Sequence, residues 1–388
     1  MTRYTQEEEE QIRNQAHVRA WARAGLIQAD QATALEARLR TTLRRTNGFL
    51  RAALALFTAV IVAATVLLFL VSFDIPYDPA TMALAIAAAA AAVIADYLVH
   101  AFRLYRYGIE EALAAAAVVL LAIAVDRVAH TLQLPDPHVL ATLAASAGAF
   151  VVYLRFGFVY AAVAAMIGVA VAPAGLQLPG EAQSAMAAAA CGVVFWWTRT
   201  LHRRHRDDFP GDDYALLQSA AFAGIYIALN LRLFDSFGGT SPYETGRWFY
   251  WATYVVTWLL PAAGLAMAIR DKQRPLLAAA LAATLATLYT NKLYLEWPRQ
   301  TWDPILLGVL LIGVATALRR WLASGPDGQR YGFTAARILE GDRDALATIA
   351  TASAVWPRQP LHAQAPAEQP ASPFEGGRSG GGGGGAAY

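Results

Sequence analysis

Cysteine is almost missing from this chain: its 388 residues include one, Cys191, set inside an apolar stretch. A lone thiol forms no intrachain disulfide and no multi-cysteine metal site, so its expected role is a small buried side chain. Charge is scarce as well. Asp, Glu, Lys and Arg make up 15% of the residues against 57% apolar types, and mean hydropathy is +0.36. A soluble domain carries roughly 25% charged residues, so a water-soluble globular protein is excluded. The net charge of +2 is not pooled in one patch, which removes the electrostatic footprint of a nucleic-acid binder. Gly-x-Ser-x-Gly, Walker-type and Rossmann glycine patterns are absent too. No nucleotide site, cofactor or enzymatic activity is expected.

What the chain does have is long apolar runs. Leu50 to Phe73 contains a single charge, Arg51. About twenty predominantly apolar residues suffice for a helix to cross the hydrocarbon core of a bilayer, so this stretch reads as a transmembrane span. Further apolar stretches follow at Ala80–Phe102, Glu110–Thr131, His138–Phe156, Gly157–Leu178, Ala182–Leu201, Tyr214–Phe234, Arg247–Ile269, Pro275–Tyr294 and Asp303–Leu322. The expected fold is all-α, a polytopic transmembrane helical bundle of about ten spans over residues 50–322. Basic residues fall unevenly between them. Arg103, Arg106, Arg155, Arg199, Arg203, Arg204, Arg206, Arg270, Lys272 and Arg274 lie on one side; Arg127, Arg232, Arg247, Lys292 and Arg299 lie on the other. The richer side, with Arg44 and Arg45 before the first span, is the cytoplasmic one, so both termini are expected inside a bacterial inner membrane. Aromatic residues fit the two interfaces: Tyr97, Tyr105 and Tyr107 at one, Trp248, Trp251, Tyr294, Trp297 and Trp302 at the other. The alanine-rich runs Ala85–Ala92 and Ala112–Ala117 suit close helix packing.

Residues 1–47 are too polar and charged for a cleaved signal peptide, so the first span serves as its own insertion signal. Thr5 and Glu8 form a capping box ahead of a helix, Gly25 suits its left-handed end, and Asp30 is placed to cap a second helix carrying Leu35, Leu39 and Leu43. Together they predict a cytoplasmic helical hairpin over residues 1–49, too small for much of a core alone. Trp21, Gly25, Leu26, Ile27 and Gln31, read as W-x-x-x-G-L-I-x-x-x-Q, resemble the N-terminal hairpin of a bacterial family of predicted multi-pass membrane proteins without assigned activity. The resemblance implies a hairpin followed by transmembrane helices and carries over no catalytic residue. At the other end, residues 323–356 are expected to hold short cytoplasmic helices, and the Pro- and Gly-rich stretch 357–388 a disordered tail.

Polar groups near the spans are the candidates for function, since an Asp or Lys at a helix centre costs roughly 2.5–3.5 kcal/mol. Asp96 with His100 and Asp126 with His130 are spaced i,i+4 on single helix faces, the first pair toward the cytoplasm and the second toward the periplasm. An outer polar cluster is expected from Asp126, Arg127, His130 and His138, from Asn230, Arg232 and Asp235, and from Asn291, Lys292, Glu296 and Asp303. Asp126, His130 and His138 are ligand types suited to zinc, but without an H-E-x-x-H pattern no metal is expected. Arg203, Arg204 and Arg206 offer contacts to anionic lipid headgroups. The leading functional class is a non-catalytic scaffold or regulatory membrane protein. Its expected partners are the lipid bilayer and a protein bound through the N-terminal hairpin or the C-terminal tail. A secondary transporter built from two inverted five-helix halves is the alternative, with Pro261 and Gly264 as its nearest approach to a helix break. A membrane enzyme using the outer cluster ranks third.

Overall fold

The computed structural model describes residues 4–23, 25–73, 77–205, 210–236, 245–295, 297, 300, 302–325, 329–330 and 333–334. Where short helices were expected over 323–356, Gln329–Arg330 and Phe333–Thr334 form strands; the chain beyond 334, with the expected tail, falls outside the described residues, as do Arg206, Glu296, Arg299 and the side chain of Asp303. The regular elements of the described chain are helices, apart from a two-residue antiparallel pairing of Gln329–Arg330 with Phe333–Thr334 and an isolated parallel bridge between Arg44 and Leu104.

Helix α1 (Gln6–Arg23) starts on the expected capping box: Glu8 N donates to Thr5 Oγ1 at 3.3 Å and Thr5 N to Glu8 Oε2 at 3.4 Å. It ends where Gly25 adopts φ +70° and Leu26 N donates back to Trp21 O at 2.9 Å, a Schellman closure. Helix α2 (Ala29–Arg38) packs on α1, with Arg19 Nε 2.8 Å from Glu36 Oε1. Its cap is Gln28 and not Asp30, because Gln31 reaches back to the Gln28 amide at 3.0 Å.

Nine longer helices and one short turn of helix follow: α3 (Gly48–Ser72), α4 (Tyr77–Phe102), α5 (Ile109–Thr131), α6 (Pro137–Phe156), α7 (Val159–Val171), α8 (Gly180–Arg204), α9 (Pro210–Leu229), α10 (Leu231–Ser236), α11 (Arg247–Asp271) and α12 (Arg274–Tyr294). Helix α13 (Asp303–Ala323) comes last. Six of these, α3, α4, α5, α6, α11 and α12, are long and apolar enough to cross a membrane. Three of the other four expected spans differ for identifiable reasons. Helix α7 has 13 residues, about 20 Å of rise, before Pro173 turns the chain into a 3-10 helix at Ala172–Gly175. Helix α8 carries Glu181, Arg199, Arg203 and Arg204, and α9 carries Asp212 and Asp213. The expected seventh span is broken at Asn230, between α9 and α10. Helix α11, in contrast, runs unbroken through Pro261.

Packing links α3 and α4 to α5, then α5 to α6 and α6 to α7. From there α7 joins the closely paired α8 and α9, and α9 leads to α12 and α11. Small residues make the contact between α4 and α5, where Ala88, Ala91 and Ala95 are buried opposite Ala114, Ala117 and Ala124. No residue of α3 is buried, and Leu56, Phe57, Leu67 and Leu68 point outward. Apolar surface of that extent on long helices is consistent with contact to a lipid bilayer.

Candidate functional site

The N-terminal helices are fastened to one rim of the bundle. Tyr4 OH donates to Leu104 O at 2.9 Å, Arg44 N to Arg103 O at 2.9 Å, and Tyr105 N to Arg44 O at 3.0 Å. Arg103 pairs with Glu8, and Arg13 Nε lies 3.4 Å from Asp212 Oδ2. The loop 103–108 reaches these partners through left-handed backbone at Arg103 and Arg106 and through Gly108 at φ +108°. Within the contact, burial and the neighbouring Asp213 push the Glu9 carboxyl up to about 7, against the opposing pull of Arg106 and of a Tyr105 hydrogen bond. Burial likewise pushes Asp213 up to about 6, again against Arg106.

Both acids hold their protons more tightly when the contact is made. The stabilisation they contribute is therefore complete below their unperturbed values, 4.5 and 3.8, and is lost as pH rises toward about 7 and about 6. Protection factors of the α1 amides, that is, exchange rates corrected for their intrinsic base catalysis, should accordingly fall across that window, and Glu9→Gln should flatten most of that fall. A profile unchanged by Glu9→Gln would contradict it.

The same rim holds ion pairs at the helix ends. Arg51, the single charge of the first apolar stretch, donates from Nε to Glu111 Oε2 at 2.7 Å and from its second arm to Oε1. Tyr160 OH donates to the same carboxylate at 2.8 Å, so α3, α5 and α7 meet there. Asp96 receives Arg155 at 2.8 and 3.1 Å, a two-pronged contact between α4 and α6, while His100 is exposed. Asp271 receives Arg199 at 3.0 Å and Arg203 at 3.8 Å; Arg204 remains exposed. Of the three arginines expected at lipid headgroups, Arg203 thus already has a carboxylate partner.

The opposite rim does not gather all the expected outer residues in one place. Asp126, His130 and His138 converge at the end of α5 and the start of α6: His138 Nδ1 is 2.9 Å from Asp126 Oδ1, and His130 Nε2 is 3.7 Å from Oδ2. Arg127 turns toward α4, where its Nε donates to Thr81 Oγ1 at 3.2 Å. The residues from α9 to α12 form a second set among themselves. Arg232 donates to Tyr250 OH at 3.1 Å, Tyr254 OH donates to Asn291 Oδ1 at 2.8 Å, and Lys292 Nζ lies 5.8 Å above the Trp302 ring.

Asn230, expected to line a vestibule, is instead fully buried. Its amide donates to Tyr226 OH and to Thr290 Oγ1, each at 3.0 Å, and Tyr226 OH is 2.7 Å from Thr287 Oγ1. Thr287 Oγ1 donates to Thr257 O at 2.8 Å. Thr257 stands four residues before Pro261, whose missing N–H leaves that carbonyl without its helical partner. A directional chain therefore runs from the Asn230 amide through two hydroxyls to the carbonyl vacated by the proline. At the helix break, Tyr294 OH accepts from Leu231 N at 2.7 Å.

A groove of about 550 Å³ opens between α6, α7, α8 and α9, lined mainly by apolar side chains such as Leu143, Phe150, Met166 and Trp197, with Ser146 and Thr198 among them. Neither Pro261 nor the buried network borders it. Sequence reading overlooked Glu111, Asp271 and the Tyr226–Thr287–Thr290 hydroxyls. The spacing of Tyr226 to Asn230 and of Thr287 to Thr290, i,i+4 and i,i+3 within apolar runs, was the available signal. No protein-family model, curated protein or solved structure matches the chain.

Proposed function

We propose that the chain is a multi-pass scaffold or regulatory protein of a bacterial inner membrane, without catalytic activity. Both termini are cytoplasmic and about ten segments cross or enter the bilayer, α7 being short. We extend the proposal to kinship with the family whose N-terminal hairpin it resembles. The observation that carries the scaffold assignment is the closed network around Asn230: Asn230, Tyr226, Thr287 and Thr290 are satisfied by one another, although the buried Gln218 side chain on α9 has no hydrogen-bond partner among the described residues, and Gly264 is packed against the Phe222 ring. Such closure supports a solid core and a role exercised through surfaces. On α1 and the turn after it, Trp21 and Leu26 are exposed for a protein partner.

Transport of a small molecule is the second candidate, favoured by the broken helix at Asn230. Hydrogen exchange at 226–233 in reconstituted protein separates the two. A scaffold keeps these amides protected, whereas alternating access would expose them on the timescale of turnover. For topology, the native Cys191 is buried, so His205→Cys and Gly238→Cys can be labelled singly with an impermeant maleimide on whole cells whose outer membrane has been permeabilised. Labelling at 238 alone is expected; labelling at 205 alone would reverse the orientation.

A further inference from the structure

Beyond that assignment, the geometry points to a divalent transition-metal site of the zinc class formed by Asp126, His130 and His138. One carboxylate and two imidazoles present ligand atoms that all lie within 4.8 Å of one another. Bonds of about 2.0–2.2 Å in a tetrahedral site put ligand atoms roughly 3.3–3.5 Å apart. The two carboxylate-to-imidazole separations, 2.9 and 3.7 Å, bracket that distance. The three groups come from two rigid supports, Asp126 and His130 one turn apart near the end of α5 and His138 in the first turn of α6. The rings stand edge to face with centroids 5.4 Å apart, so their nitrogens approach the carboxylate from different directions.

Charge argues the same way. Among the described residues the two imidazoles are the only hydrogen-bonding or ion-pair partners of the Asp126 carboxylate, since Arg127 next to it is engaged with Thr81. A divalent cation would pair with the carboxylate and take the imidazole nitrogens as ligands. Two imidazoles and one carboxylate suit zinc, copper, nickel or iron and disfavour calcium and magnesium, which prefer oxygen. Three protein ligands leave a fourth position for water or another donor, as in exchangeable sites and unlike closed structural ones. Exposure agrees: His138 is 80% accessible and His130 48%. The inference does not depend on which side of the membrane this rim faces.

The experiment uses the full chain, purified in detergent without a histidine tag, and Zn²⁺ alone as the probe, titrated against a chromophoric chelator. One saturable site is expected. Asp126→Asn and His138→Ala should each weaken it by about tenfold or more, while a His202→Ala, His205→Ala variant should keep it. His138 is exposed and its loss should not perturb folding; circular dichroism of each variant checks this. Co²⁺ in place of Zn²⁺ should give visible absorption bands that vanish in His138→Ala. Absence of saturable binding, or binding undiminished in both Asp126→Asn and His138→Ala, would overturn the site.

Discussion

Gly108→Val should lower the inactivation temperature of the detergent-solubilised protein by roughly 3–5 °C, the shift expected from about 3 kcal/mol in a chain of this size. Two separate effects act at this position. Gly108 sits at φ +108°, where a β-branched residue is strained whatever space surrounds it. A Cβ there would also stand 2.3 Å from Arg51 O and 3.2 Å from Ala55 N, both backbone atoms of α3 that cannot swing aside. Relief requires α3 to move away from α5, which in turn pulls Arg51 from Glu111 and leaves an 11% accessible carboxylate with Tyr160 as its remaining hydrogen-bond donor. Alanine should fail nearly as badly, because the first carbon of the side chain makes the clash. The control is Gly192→Ala: nothing lies within 4 Å of the added carbon and the position is mid-helix, so stability should hold or rise slightly. Equal inactivation temperatures for Gly108→Val and the unsubstituted chain would refute the close approach of α3 and α5.

Much of this architecture was written in local patterns. The Thr5–Glu8 box, the Gly25 helix end and the alanine faces of α4 and α5 each depend on residues a few positions apart, and each formed as expected. Features set by distant partners were not legible. Nothing near Arg51 announces Glu111, sixty residues on, and Asp96 looked like a partner for His100 because Arg155 lies on another helix. Sequence places the nearest approach to a helix break at Pro261, the residue that ordinarily causes one. It lies at Asn230, because Thr287 satisfies the carbonyl freed by the proline while Tyr294 takes up the amide of Leu231. Hydropathy also treats a polar side chain in an apolar run as a pointer to water. Asn230 had enough partners to be buried, which divided the expected outer vestibule into an exposed Asp–His group and a closed interior network.

Asn230→Leu should cost about 2–4 kcal/mol, more than any other single change in that network. The leucine removes both amide donors, to Tyr226 and Thr290, and also the Oδ1 that caps Leu233 N at 3.3 Å, so α10 loses its start and the helix break loses its bond to α12. Thr287→Val keeps shape and removes one hydroxyl; with Thr257 O unpaired and Tyr226 OH, still accepting from Asn230, left without its acceptor, its expected cost is about 1–3 kcal/mol. The informative quantity is the double variant. Tyr226 can pass a hydrogen bond from Asn230 to Thr287 only if both ends exist, so breaking either end removes most of what the other contributes. The combined loss should fall short of the sum by about 0.5–1.5 kcal/mol. Unfolding midpoints of the three variants in one detergent measure it. Strict additivity would mean that the hydroxyls act as separate helix-to-helix contacts and that the proline-vacated carbonyl is satisfied independently of Asn230. Coupling would show the proline, the helix break and the packing of α9 against α12 to be one cooperative unit, which is the behaviour a rigid core requires and a substrate passage would prevent.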